Sequence, residues 1–385
     1  MSESDAIAFG EKVLALLDQG AFTATYKYAV LLGLIDVCLE GADADGHPPH
    51  VVAPRDLAAR VIELYWPQAR LYGGAADEAV VLRQNSSGQA EIVTRIRRFQ
   101  ERAGTELTLH RARIADPSAY DELVADVAWK LVEMPLPRLQ RFGGSEPFLY
   151  DIGWDLGVKR RDYVARSHDF VIRLRPGVGD HLVRLAGLLR PLVQQQWAER
   201  IVQWNRTDVP ALATRADLDA FLFGASRTDL APVRRELRRL QDSRCLYCDA
   251  QLHGQVHVDH FLPWVRYPDD GIHNLVAAHP SCNNTKRDSL AAAVHVQTWS
   301  TRFRLPDMQA RLDRLADDRR WPAHPARTLS VARAVYLRMP DDARLWLAGD
   351  EFVPPDQPTL TAALRGTPDL RLVAEDRAPY DPEAG

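Results

Sequence analysis

Apolar residues recur every three to four positions over residues 5–19 and 24–40, which predicts two helices. Gly20 would end the first, and Gly41 would end the second, YKYAVLLGLIDVCLEG, as a glycine past the last helical turn. The stretch APRDLAARVIELYWP predicts a shorter helix opened by Pro54 and closed before Pro67, and residues 88–103 and 118–132 continue in the same manner. In EPFLYDIGWD and HDFVIRLRP, aromatic and β-branched residues alternate with polar ones, so these segments read as short strands. From 180 to 205, Leu182, Leu185, Leu189, Leu192, Val193, Trp197, Ile201 and Trp204 hold a 3.6-residue period that predicts one long amphipathic helix, with both tryptophans as core. Residues 227–241 predict a helix bearing Arg234, Arg235, Arg238 and Arg239, and two or three more helices follow residue 300. The Pro- and acid-rich DRAPYDPEAG is expected to fray.

The expected chain is therefore mainly α with a small α+β core. A mostly helical accessory or recognition region would occupy 1–240, with a small sheet near 146–175. The core would span 241–300, and a helical C-terminal cap with its acidic tail 301–385.

Composition narrows the chemistry. With 385 residues and 46% apolar content the chain can fill its cores without disulfides, and a net charge of −4 confines any attraction for phosphate to local patches. The arginine-bearing helix at 227–241 is one candidate patch; a solvated helix face is the other reading of it. No run of 18 apolar residues occurs and the first 20 residues are acidic and amphipathic, so a cytoplasmic protein without a membrane partner is expected. Of four cysteines, Cys38 lies in an apolar helical stretch as a core residue, whereas Cys245, Cys248 and Cys282 cluster. In a reducing compartment that clustering indicates metal.

The informative segment is CLYCDAQLHGQVHVDHFLPWVRYPDDGIHNLVAAHPSCNNTKRDSL. Cys245-x2-Cys248 is knuckle spacing, and His279-x2-Cys282 repeats it with imidazole replacing one thiolate, which closes a Cys3His zinc site of the structural kind. His253, His257 and His273 compete for the fourth place, but His279 alone sits on the second knuckle. Between the halves, VHVDHFLPW is strand-like and ends in Asp259-His260. Neighbours on an extended chain leave by opposite faces, so two roles are expected: a metal-binding carboxylate and a general base.

These residues resemble the HNH endonuclease family: a knuckle, Asp-His closing the first β-segment, a loop, Asn274-Leu-Val, a second knuckle, then Asn283-x-x-Lys286 at the head of a helix. The longer stretch from FLFGASRTDL to DSLAAAVHVQTW is similar to the core of a bacterial group of HNH-domain proteins. The resemblance implies a ββα-metal fold braced by structural Zn2+, flanked by helical regions. It implies His260 as general base, Asn274 bonding the other ring nitrogen, and Asp259 and Asn283 holding a catalytic Mg2+ or Mn2+ against the scissile phosphate. Lys286, Arg287 and Arg266 become candidate contacts to flanking phosphates. The third signature position is Asn283 where histidine is usual, and its carbonyl oxygen suits a hard cation.

The reading that follows is a phosphodiester hydrolase acting on nucleic acid, DNA first, in restriction or defence against foreign DNA. A homodimer would let single-metal sites cut both strands, and a defence-system partner protein is the other partner expected. The competing readings are a zinc-braced nucleic-acid binding module without hydrolysis and an RNA-cleaving HNH nuclease.

Overall fold

Helix α2 (Tyr26–Glu40) is mostly apolar, and Tyr28, Val30, Leu32, Leu34, Ile35 and Cys38 are all buried, as expected of a helix at the centre of a core. The computed structural model describes residues 3–19, 23–73, 79–140, 146–206, 215–223 and 229–366. The chain divides into two compact units: residues 1–38 with 49–227, and residues 39–48 with 228–385. The expected fraying of DRAPYDPEAG falls outside the described residues.

In the first unit, helix α1 (Glu3–Gln19) precedes α2, and α3 (Pro54–Tyr65), α4 (Glu91–Ala103), α5 (Leu109–Ala115) and α6 (Pro117–Glu133) follow. Asp116 caps α6 through its side chain, with Pro117 at the first helical position. Short helices α7 (Pro135–Arg138) and α8 (Arg160–Val164) come next. The expected sheet near 146–175 forms from β2 (Tyr150–Ile152) and β3 (Ile172–Leu174), and β1 (Val51–Val52) adds a third strand that the sequence reading lacked. The order is β1-β3-β2, all antiparallel.

The helix expected over 180–205 is two helices, α9 (Val178–Arg184) and α10 (Ala186–Asn205), broken at Leu185 with φ −93° and ψ 4°. The apolar period runs through the break, while Gly187 and Pro191 weaken the ladder just beyond it. Trp197 is fully buried, and its indole N–H donates to Gln84 Oε1 at 2.9 Å. The described part of the unit ends with α11 (Arg215–Leu222).

In the second unit, helix α12 (Ala231–Leu240) buries Val233, Leu237 and Leu240. The antiparallel hairpin of β4 (His257–His260) and β5 (Leu275–Ala278) follows, with Asp259 opposite Val276 and His260 opposite Leu275. Gln241, just past α12, acts on β5 as a substitute strand: it accepts from Ala277 N–H and donates to Ala277 O, both at 2.8 Å. Helix α13 (Pro280–Lys286) completes the ββα unit.

Helices α14 (Ala293–Ser300), α15 (Pro306–Arg319), α16 (Pro325–Tyr336) and α17 (Gln357–Arg365) form the helical C-terminal part. It also contains a hairpin, β6 (Leu345–Ala348) with β7 (Glu351–Val353), which the sequence reading lacked. Behind the β4–β5 hairpin, Phe261 stacks on Trp299 at 4.4 Å between centroids, and the buried Arg302 donates to the carbonyls of His273 and Leu275, both at 2.9 Å.

His273 is fully buried, and neither ring nitrogen has a hydrogen-bond partner among the described residues. Burial, then the charges of Arg302 and His324, push its pKa from 6.5 down to about 3. Below pH 6.5 the unfolded chain takes up a proton here that the folded chain refuses, so the stability this group confers is present above 6.5 and falls toward pH 3. Between about pH 6.5 and about pH 5.5 the loss is about 1 kcal/mol. Urea unfolding of wild type and His273→Leu over this window should show a shallower pH slope in the variant by that amount.

Candidate nuclease site

The Cys245 knuckle is a tight turn in which Cys245 N–H donates to Ala250 O and Asp249 N–H to Cys245 O, both at 3.0 Å, with Asp249 in the left-handed region at φ 53°. The second half is built differently: His279 is the N-cap of α13, Pro280 is its first residue, and Cys282 lies in its first turn. The donor atoms of Cys245, Cys248, His279 and Cys282 lie within 4.8 Å of one another. Three sulfurs and one ring nitrogen at this separation suit a tetrahedral zinc ion and leave no position open.

The imidazole is already set for that role. His279 Nδ1 lies 3.3 Å from Cys248 Sγ, while Nε2 lies 3.1 Å from Gln251 O, which holds the proton on Nε2 and leaves Nδ1 for a metal. Burial and the neighbouring thiols of Cys245 and Cys248 push the Cys282 thiol up to about 12. Sulfurs this close ionise together around a cation and resist doing so without one.

β4 and α13 face each other through matched spacings. His257 and Asp259 leave the same side of β4, two residues apart; Asn283 and Lys286 leave the same side of α13, three apart. Lys286 Nζ donates to Asp259 Oδ2 at 3.0 Å and to His260 O at 3.0 Å, and the Tyr247 hydroxyl donates to the same carboxylate oxygen. Asp259 Oδ1 has no hydrogen bond among the described residues. Asn283 Nδ2 lies 3.1 Å from His257 Nδ1.

His260 is held from another direction. Its Nε2 lies 2.9 Å from Asp270 Oδ1, its ring packs edge-on to Trp264 at 5.1 Å, and its side chain is 18% exposed. The loop carrying Asp270 is pinned at several points. Trp321 donates to Asp270 O at 2.7 Å, Asp269 accepts from Gly271 N–H and from the Thr328 hydroxyl, and Tyr267 donates to Glu40 at 2.8 Å.

Two expected roles change. Asn274 does not bond the His260 ring: its amide accepts from Leu262 N–H at 2.8 Å and donates to Leu262 O and Asp269 O at 3.2 and 3.0 Å, closing the loop at its neck. Lys286 is not a surface contact for phosphate: it is fully buried, its ammonium occupied by Asp259 and His260 O. Arg266 and Arg287 are exposed, as are Arg234 and Arg235 of the basic helix, whereas Arg238 donates to Leu252 O and Arg239 pairs with Glu236.

The sequence reading named neither Asp270 nor Tyr247 as a site residue and considered His257 only for zinc. An acidic pair just before Asn274, and a histidine two residues before Asp259, were the available signals.

Two measurements follow from the cluster. Metal analysis of the purified chain should find one tightly held zinc per chain, and Cys282→Ser should lose it. Proteolysis of the chelated protein should then cut within 245–288, because α13 would have lost the metal that anchors its N-cap residue; a zinc-free protein equally resistant there contradicts this assignment.

Residues 245–292 match the family model described as HNH endonuclease. No curated protein and no solved structure matches the chain. Among the described residues no helix is long and apolar enough to cross a membrane. Residues 245–292, with their knuckle, Asp-His strand end and Asn-bearing helix, thus form a segment of the HNH endonuclease type within this chain.

Proposed function

We propose that this protein is a metal-dependent endonuclease that hydrolyses phosphodiester bonds of DNA, with His260 as general base. The observation that supports this most strongly is the pairing of His260 Nε2 with Asp270 at 2.9 Å on a half-buried ring. A carboxylate accepting from Nε2–H leaves Nδ1 as the ring's proton acceptor, the arrangement needed to take a proton from an attacking water. Asp270, held by its own backbone bond to Trp321, is the positioning residue for that ring.

Asp259 and Asn283 would hold the catalytic Mg2+ or Mn2+, and the donor set fits. The carboxylate keeps Oδ1 without a hydrogen bond among the described residues, and the carboxamide of Asn283 reaches β4 from α13 at His257. Such a cation supplies Lewis-acid stabilisation of charge on the phosphate and the leaving oxygen. Lys286 and Tyr247 hold Asp259 in place through Oδ2. Arg266, exposed in the loop between β4 and β5, and Arg287, exposed just past α13, are proposed to meet flanking phosphates, and Arg234 and Arg235 to extend the basic surface.

Purified protein incubated with plasmid DNA and Mg2+ or Mn2+ should nick or linearise it. His260→Ala should lower kcat by about 10²–10⁴. Asp270→Ala should lower kcat by about tenfold with KM little changed, as expected for a group that orients the base. If wild type is no more active than His260→Ala on DNA, hydrolysis of DNA is not its function. Activity on RNA alone would move the substrate, and salt-dependent binding without cleavage would leave a binding module.

A further inference from the structure

The face between β4 and α13 holds one polar group that the proposed hydrolytic mechanism does not use. His257 sits two residues before Asp259 on the same side of β4, half-buried, and its Nδ1 lies 3.1 Å from the side-chain amide of Asn283. The ring is not part of the zinc cluster, whose four ligands are Cys245, Cys248, His279 and Cys282. It makes no ion pair, and the Asn283 amide is its one side-chain hydrogen bond among the described residues.

Two donor atoms that sit side by side on an octahedral ion, each about 2.1 Å from it, are about 3 Å apart. That is the spacing found between His257 Nδ1 and the Asn283 amide, and turning the carboxamide about its terminal bond puts oxygen where nitrogen stands. Resting on the reading of Asp259 and Asn283 as the catalytic cation's ligands, we infer that His257 Nδ1 is a third protein ligand of that cation. The site then offers one carboxylate, one carboxamide and one imidazole. A nitrogen donor shifts preference away from Mg2+ and toward first-row transition ions, Mn2+ among them. The 3.1 Å contact has the span of a coordination edge, and the pair also ties the hairpin to the short helix.

The experiment is electron spin-echo spectroscopy of the zinc-loaded full-length protein titrated with Mn2+. Wild type should show 14N modulation from a directly bound imidazole. His257→Gln, with its zinc content and circular dichroism unchanged, should lose that modulation and bind Mn2+ about tenfold more weakly, equivalent to about 1.4 kcal/mol. His260→Ala should keep the modulation, which excludes the neighbouring ring as its source. Mn2+ should also be preferred over Mg2+ by a wider margin in wild type than in His257→Gln.

Bound Mn2+ that supports cleavage with no 14N modulation, or with modulation that survives His257→Gln, overturns this inference and leaves the nuclease reading standing. Absence of both Mn2+ binding and cleavage overturns the two together. Should His257→Gln fail to fold, the wild-type spectrum alone still decides whether an imidazole is bound, and His260→Ala decides which one.

Discussion

Four side chains of metal-ligand type, drawn from two places 31 residues apart, come together within 4.8 Å at the head of this site. α13 has seven residues, too few to be stable alone in water, and its N-cap, His279, belongs to that cluster. A zinc ion bound there would fix where the helix begins, which way it runs and which of its side chains face β4. Asn283 and Lys286 inherit their positions from that constraint, and through them so does the carboxylate of Asp259. The hairpin behind them is fastened by Gln241 on its outer edge and by Arg302 on the carbonyls that open β5.

The site places charge economically. A buried carboxylate is costly without an opposite charge, and Lys286 supplies one from the interior side, with the Tyr247 hydroxyl as second partner. Both act on one oxygen, which leaves the other for the hard cation of the proposed site. His260 is separated from this pair in support: its backbone carbonyl holds Lys286, but its ring belongs to the loop containing Asp270, which Asn274 closes at the neck. In the proposed mechanism a base held by a loop, beside ligands held by a strand and a helix, can be tuned without disturbing the metal-binding face.

Much of this was legible in the sequence, for identifiable reasons. The zinc ligands announce themselves because two sequence-local knuckles each dictate a turn, and Asp259-His260 because alternation on a strand assigns adjacent residues to different faces. The 3.6-residue period located most helices, yet it carried straight across Leu185, where the backbone breaks while the apolar stripe continues. The hairpin of β6 and β7 was readable in LWLAGDEFV, alternation around a Gly-Asp turn, and was lost among the helices around it. Lys286 looked like a surface residue because lysine usually is one; its burial depends on the direction α13 takes, which the metal sets. Asp270 and His260 are ten residues apart across an irregular loop, a pairing that no periodicity predicts. Asn274 was recognised as important, but its work is on the backbone of that loop and not on the ring.

The account rests on two metal ions in two different environments, one enclosed by sulfur and one exposed to substrate. Anomalous X-ray scattering from crystals of the zinc-loaded protein soaked in Mn2+ addresses this directly. It should show a zinc peak enclosed by Cys245, Cys248, His279 and Cys282, and a separate manganese peak in contact with Asp259 Oδ1 and the side chain of Asn283. Manganese found elsewhere, or a zinc peak outside the four-residue cluster, would contradict the arrangement on which the proposed chemistry depends.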